Sequence, residues 1–129
     1  MRFRFVQLAF LAALAVVIGC TQNREPPPVT HKAEGKVVLR DGKTFTTGGT
    51  ITLYHETKSG VTTTGDIKSD GSFKLHSITA DGKVPGAPEG EYSVEINPLS
   101  QDQNVQVIRL KKKQTIAAGD NDLKIVIGE

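Results

Sequence analysis

The sequence has no tryptophan and few aromatic residues of any kind. Its 129 residues include 2 tyrosines and 5 phenylalanines. Proteins that bind sugars or single-stranded nucleic acids commonly stack their ligands on several exposed aromatic rings. Alternation of apolar and polar residues assigns Phe73 and Tyr92 to the core, whereas Tyr54 falls on an outer face and Phe45 in a loop. A broad stacking platform is therefore not expected.

Cysteine and histidine are also scarce. The single cysteine, Cys20, excludes a disulfide within the chain. The histidines His31, His55 and His76 show no metal-ligand spacing such as H-x-x-x-H. No serine lies in a G-x-S-x-G nucleophile turn. We therefore expect no enzyme activity, no cofactor and no metal centre. A hydrolase or accessory enzyme, with a triad or metal cluster among His55, His76 and the turn aspartates, is kept as a less favoured alternative.

Calcium is the one ion for which suitable ligand types are plentiful, because carboxylates in loops bind it. None of the candidate aspartates fits an EF-hand loop, and Asp-Gly is also the ordinary hairpin turn. Calcium binding therefore stays open at Asp66, Asp70, Asp81, Asp120 and Asp122.

The chain has no strong excess of charge. It carries 16 basic and 14 acidic residues, and without Arg2 and Arg4 the two counts are equal. Nucleic-acid-binding domains usually carry a clear basic excess. We therefore expect no nucleic-acid partner.

Long hydrophobic runs are absent except for eleven apolar residues, Leu8 to Ile18. A membrane-spanning helix needs about 20 apolar residues, so this run is too short. It follows MRFRFVQ, which has two arginines and no acid, as in a secretory signal. Residues 1–19 are predicted to form a helical signal peptide that is removed.

The residues Val17, Ile18, Gly19 and Cys20 that close this run resemble the lipobox of bacterial lipoproteins. Ile18 is less usual at its position than serine, threonine or alanine. The resemblance implies that the sulfur of Cys20 receives a diacylglycerol and that its new amine is acylated. Several acyl chains anchor a protein stably, since each buried methylene contributes about 0.8 kcal/mol.

The resemblance also implies a location, namely the membrane-anchored, extracytoplasmic side of the bacterial cell envelope. Thr21 stands where many lipoproteins of the inner membrane carry aspartate. By that family rule the outer membrane is favoured where there is one.

Residues 20–33 form the predicted tether, with Pro26, Pro27 and Pro28 at its centre. Consecutive prolines favour an extended polyproline II conformation, so this segment would reach about 40 Å. His31 has no evident partner in the sequence and is expected to be solvated.

The remainder, residues 34–129, is predicted to be one all-β domain of about seven strands. Alternation predicts strands at 36–39, 50–54, 61–67, 73–76, 92–97, 105–110 and 123–127, with a bulge near Ile108. Turn dipeptides separate several of them, namely Asp41-Gly42, Ser59-Gly60, Asp70-Gly71 and Asp81-Gly82. Short strands at this spacing indicate an antiparallel, immunoglobulin-like sandwich.

Four segments of this domain resemble the carboxypeptidase regulatory-like, or transthyretin-like, β-sandwich. They are GKVV at 35–38, GTITL at 49–53, GDIKSDGSF at 65–73 and PEGEYSV at 88–94. The segment GDNDLKI at 119–125 also looks like the closing hairpin of small secreted lipoproteins with this domain. The cluster of lysines 111–113 is more basic than that family pattern, and is expected to be a solvated edge or to attract anionic headgroups.

These patterns favour a non-enzymatic, lipid-anchored module with a structural or protein-interaction role. Its expected partners are the membrane, through the lipid anchor, and an envelope protein. The alternative is a carrier lipoprotein that binds a small ligand in a transthyretin-like architecture.

Overall fold

The computed structural model describes Gly19, residues 26–101 and residues 104–128. Cys20 and residues 1–18 of the predicted signal helix lie outside this part of the chain. The regular structure of the described residues is entirely β-strand. Among them, no helix has the length and apolar character that crossing a membrane requires.

The described residues form twelve strands, many of them only two to four residues long. The strands are β1 (Thr30–His31), β2 (Ala33–Leu39), β3 (Gly49–His55), β4 (Thr62–Ile67), β5 (Ser72–Lys74), β6 (His76–Thr79), β7 (Gly82–Pro85), β8 (Ala87–Pro88), β9 (Gly90–Pro98), β10 (Ile108–Arg109), β11 (Gln114–Ile116) and β12 (Asn121–Ile127).

Two sheets face each other, which confirms the all-β sandwich prediction. The larger sheet has the order β10-β9-β3-β4-β6-β7, and β11 pairs with β9 beside β10. The smaller sheet has the order β12-β2-β5, and β1 with β8 forms a two-stranded ribbon. Three of the four Gly-containing turn dipeptides lie between strands, and the fourth, Asp81-Gly82, ends in the first residue of β7.

The core between the sheets is built by the inward-facing residues of the alternating strands. Phe73 and Tyr92 are buried, as predicted. Phe45 lies outside the strands, as predicted, but it is only 6% exposed and belongs to the core. The residues that complete this core are Ala33, Val37, Ile51, Leu53, Ile67, Leu75, Ala87, Val94, Ile96, Ile116, Leu123 and Ile125.

The last strand departs from the predicted antiparallel pattern. β12 lies parallel to β2, with Leu123 beside Gly35 and Ile127 beside Leu39, so it does not form the expected closing hairpin. Residues 117–120 carry the chain from β11 in the larger sheet to β12 in the smaller one. The Asn121 side chain secures this crossing, since it accepts from the Ala117 N–H at 2.9 Å and donates to the Lys32 carbonyl at 3.2 Å.

The predicted strand 105–110 is also shorter than expected. Only Ile108–Arg109 pairs with β9, and residues 105–107 are not in a strand. β10 and β11 occupy successive positions along the same edge of β9. The lysines at 111–113 therefore connect two short edge strands.

Strand pairing begins at Thr30, four residues before Glu34, where the sequence places the start of the domain. Thr30 pairs with Pro88, and Ala33 is only 2% exposed. The Nδ1 atom of His31 accepts a hydrogen bond from the Gly119 N–H at 3.3 Å. The expectation that His31 has no partner is therefore wrong.

Candidate functional site

The predicted lipidation site, Cys20, lies outside the described residues, but the fold shows where the chain from it arrives. Nine residues separate Cys20 from Thr30, which pairs with Pro88. Residues 26–28 share a cavity of about 430 Å³ with residues 57–61 and 79–81. We call the turns 56–61 and 79–82, with residues 88–90, the tether end of the sandwich.

His55 organises the tether end through both of its ring nitrogens. Nδ1 accepts from the backbone N–H groups of Thr57 and Lys58, at 3.1 and 3.0 Å. Nε2 lies 3.0 Å from the Glu89 carbonyl oxygen and donates to it. Because Nδ1 must accept, the proton of the neutral ring is on Nε2. Gly90, with φ of 144°, lies so close to this ring that a Cβ there would collide with it.

Tyr92 supports His55 from inside the core. Its ring packs edge-on against the imidazole, with a centroid distance of 4.9 Å and an interplanar angle of 78°. Its hydroxyl donates to the Pro88 carbonyl at 2.6 Å. Burial raises the pKa of this phenol. Immunoglobulin-type sandwiches use the same device, a buried tyrosine bonded to the backbone a few residues upstream.

These contacts give His55 a structural role. His76, on β6, faces the other side of the larger sheet, opposite Thr64 and Pro85. Burial, followed by the nearby Lys83 charge, lowers the pKa of His76. The two histidines therefore lie on opposite sides of the larger sheet. Within residues 26–101 and 104–128, no group of three or more His, Cys, Asp or Glu side chains could hold a metal ion.

A polar network lies beside His55 at the edge of the larger sheet. Glu56 accepts from the Ser93 hydroxyl at 2.6 Å and from the Lys113 ammonium at 3.1 Å. Both hydrogen bonds lower the pKa of Glu56, and the bond from Ser93 has the larger effect. The contact fixes Lys113 against turn 56–61, so this lysine of the predicted basic cluster is not simply solvated.

The outer face of the larger sheet carries an exposed row next to this network. The strand register places Ser93 beside Tyr54, Tyr54 beside Thr62, and Thr62 beside Ile78. Tyr54 is 47% exposed and Ile78 is 49% exposed. We call these four residues the outer row. The sequence placed Tyr54 on an outer face correctly, but it gave no indication that Ile78 is its neighbour.

Asp70, one of the turn aspartates that suggested calcium, has local hydrogen-bond partners. Asp70 accepts from the N–H and the hydroxyl of Ser72, at 3.0 and 2.5 Å. These bonds lower the pKa of Asp70. Asp41, at the equivalent place in another turn, accepts from the Lys43 N–H at 3.0 Å. In these two turns the carboxylate replaces a backbone acceptor.

A second surface cavity, of about 510 Å³, lies between β2 and the end of β7. Ala33, Leu75, Pro85 and Gly86 form its apolar part, and Lys32 and Lys74 lie at its polar part.

No family model, no curated protein and no solved structure matches this chain.

Proposed function

We propose that this chain is a lipid-anchored, extracytoplasmic β-sandwich that acts without catalysis as a structural or protein-interaction module of the bacterial cell envelope. The observation that carries the proposal is the short apolar run that ends at Cys20, ten residues before the first strand. The segment between them would hold the tether end of the sandwich within about 30 Å of a membrane surface.

The outer row supports an interaction role. It combines a half-exposed aromatic ring and a half-exposed aliphatic side chain with hydroxyl groups on adjacent strands. Tyrosine is enriched in protein interfaces because it offers a large apolar area with one polar atom. Charged groups such as Lys113 and Glu56 lie at the rim, which is the usual arrangement of an interface.

Anchoring is tested by changing Cys20. Cys20→Ala is expected to remove the acyl mass and to release the protein from the membrane fraction or leave its signal uncleaved. Thr21→Ala is the matched control and should fractionate as the wild type does. Unchanged mass and fractionation of the Cys20 variant would refute the anchoring proposal. Thr21→Asp is expected to move the anchored protein from the outer to the inner membrane.

The interaction role is tested by photo-crosslinking in intact cells from Thr62, which lies between Tyr54 and Ile78. We expect one discrete adduct, identified by mass spectrometry, that is lost when Ile78→Asp is introduced. A photo-crosslinker at the exposed Lys43 is the control and should not give that adduct. The same adduct from both positions would contradict a partner bound at the outer row.

Carriage of a small ligand is the second candidate, and the 510 Å³ cavity favours it. Small-molecule sites commonly measure about 300–1,000 Å³ and combine apolar walls with a few polar groups. Native mass spectrometry of the protein from cells would then show a bound molecule that is absent after denaturation. A native mass equal to that of the lipidated chain alone would leave the interaction module as the function.

A further inference from the structure

The outer face of the smaller sheet places like charges directly opposite one another. In the parallel pair of β2 and β12, Glu34 lies beside Asp122 and Lys36 lies beside Lys124. All four side chains point away from the core, since the residues between them, Gly35 and Leu123, are buried. The face therefore has a pair of carboxylates next to a pair of ammonium groups.

Directly opposed like charges destabilise a sheet, whereas opposed unlike charges stabilise it. A shift of either strand by two residues would have placed lysine opposite carboxylate. The observed register is fixed by the buried residues Leu123 and Ile125, which lie beside Gly35 and Val37. On its other side Glu34 lies beside Lys74 of β5, so this carboxylate is already compensated within the sheet, whereas Lys36 lies between Lys124 and Ser72. The two lysines, and Asp122 on the edge strand β12, are therefore the charges that an external group of opposite sign would stabilise.

The lysines of this face form no ion pair within the part of the chain that the structure describes, although Glu34 lies beside Lys74 and Asp70 attracts Lys36. Lys36, Lys68, Lys74 and Lys124 make no ion pair there. Of the neighbouring acids, Glu34 is 3.3 Å from the Lys32 ammonium, and Asp70 accepts from Ser72. The lysine side of the face is therefore the more strongly unbalanced one.

A surface cavity of about 260 Å³ joins the two kinds of charge. Three lysines line it, Lys36, Lys68 and Lys74, together with Glu34, Asp122 and the hydroxyl-bearing Ser72. Alternate residues on one strand are about 7 Å apart, so a small molecule in the cavity can reach both Lys36 and the carboxylates of Glu34 and Asp122.

We propose that this cavity binds a phosphate ester that also carries an ammonium group. The phosphate lies at Lys36 and Lys68, where ammonium donors form charge-assisted hydrogen bonds to its oxygens. The ammonium group lies at Asp122, beside Glu34. A simple anion would neutralise only the lysines and would approach the carboxylates, whereas the ammonium group of a zwitterionic ester also gives Asp122 a partner of opposite charge. The site uses neither Cys20 nor the outer row, so it stands apart from the proposed anchoring and interaction roles.

The probes are O-phosphoethanolamine and inorganic phosphate, added to the protein as isolated from cells. A mild detergent is kept in every sample so that lipidated and unlipidated chains are handled alike. Thermal unfolding and isothermal titration should show binding of O-phosphoethanolamine, and weaker binding of phosphate. Lys36→Gln should weaken binding of both probes by about tenfold, the effect of one lost charge-assisted hydrogen bond. Lys112→Gln, the same change at an exposed lysine elsewhere, should leave both affinities unchanged.

Asp122→Asn tests the ammonium site separately from the phosphate site. It should weaken the binding of O-phosphoethanolamine, whereas the binding of phosphate should be unchanged or stronger. Without a probe, Lys36→Gln should be at least as stable as the wild type, since it removes the opposed pair of lysines. A less stable but folded Lys36→Gln protein would contradict the electrostatic argument. No binding of O-phosphoethanolamine, or equal binding of both probes, would overturn the proposed ligand class.

Two further arms distinguish the source of the ester. Detergent micelles that contain phosphatidylethanolamine should stabilise the wild type, and not Lys36→Gln, if the ester is a lipid headgroup. Stabilisation by O-phosphoethanolamine but not by these micelles assigns the site to a soluble ester. Micelles that contain phosphatidylglycerol, which lacks the amine, should stabilise the wild type less than phosphatidylethanolamine, and equal effects would overturn the role of Asp122.

Discussion

Replacing Tyr92 by phenylalanine tests whether the buried hydroxyl at the tether end stabilises the fold. Tyr92→Phe keeps the ring that packs against His55 and removes only the hydroxyl that donates to Pro88 at 2.6 Å. Pro88 is fully buried, so its carbonyl oxygen loses this partner without gaining water. A buried acceptor left unsatisfied costs about 1–3 kcal/mol. A loss of about 2 kcal/mol should lower the Tm of a domain of this size by about 10 °C.

The chain offers a matched control, because its only other tyrosine, Tyr54, is half-exposed on the outer row. Tyr54→Phe should change the free energy of unfolding by no more than about 0.5 kcal/mol, as is usual for surface substitutions. Urea unfolding of both variants and the wild type at neutral pH provides the comparison. If Tyr92→Phe is no less stable than Tyr54→Phe, the hydroxyl does not contribute as reasoned.

The same pair of variants tests a prediction about stability at alkaline pH. Since burial raises the pKa of Tyr92, the folded state holds the phenol proton more tightly than the unfolded state. This contribution to stability is complete below the unfolded pKa of about 10 and is lost as pH rises through the raised value. Tyr92→Phe should lack that alkaline loss, whereas Tyr54→Phe should retain it. The Tyr54→Phe protein also isolates Tyr92 for absorbance titration.

Three other perturbations follow from the contacts of single side chains. His55→Ala removes the acceptor of the Thr57 N–H, and should lower stability by about 2 kcal/mol and speed hydrogen exchange in turn 56–61. Lys113→Gln removes the ammonium group whose hydrogen bond, after that of Ser93, lowers the pKa of Glu56, so NMR titration of that carboxyl should show its pKa rising toward the ordinary value. Because the pKa of His76 is lowered in the folded state, its neutral form contributes stability that is complete above the unfolded pKa of about 6.5 and is lost as pH falls through the lowered value. His76→Gln should reduce this acid loss in urea unfolding.

Each of these has a control and a contrary outcome. His31→Ala removes a single longer contact, to Gly119, and should cost less than His55→Ala; the reverse order would argue against His55 as the organising residue. Lys112→Gln should leave the Glu56 titration unchanged. An acid loss in His76→Gln as large as in the wild type would show that other groups determine it.

The functional residues proposed here differ in how visible they are in the sequence. Cys20 is recognisable because signal processing depends on contiguous residues, Val17 to Cys20. Tyr54 could be placed on an outer face from the alternation of β3 alone. The opposed pairs on β2 and β12 could not be found, since the register between strands about 90 residues apart is decided by the packing of Leu123 and Ile125. The role of His55 was equally hidden, because its partner Glu89 is 34 positions away.

Local sequence therefore determined the class of fold, the turns and most of the core, because strand alternation and Asp-Gly turns act over a few residues. Phe73 and Tyr92 were placed in the core for that reason. Only the tertiary structure decided the parallel pairing of β12, the burial of Phe45 and the partners of His31 and His55. Alternation specifies which face a side chain occupies but not which strand lies beside it, and that choice depends on how the two sheets close on each other.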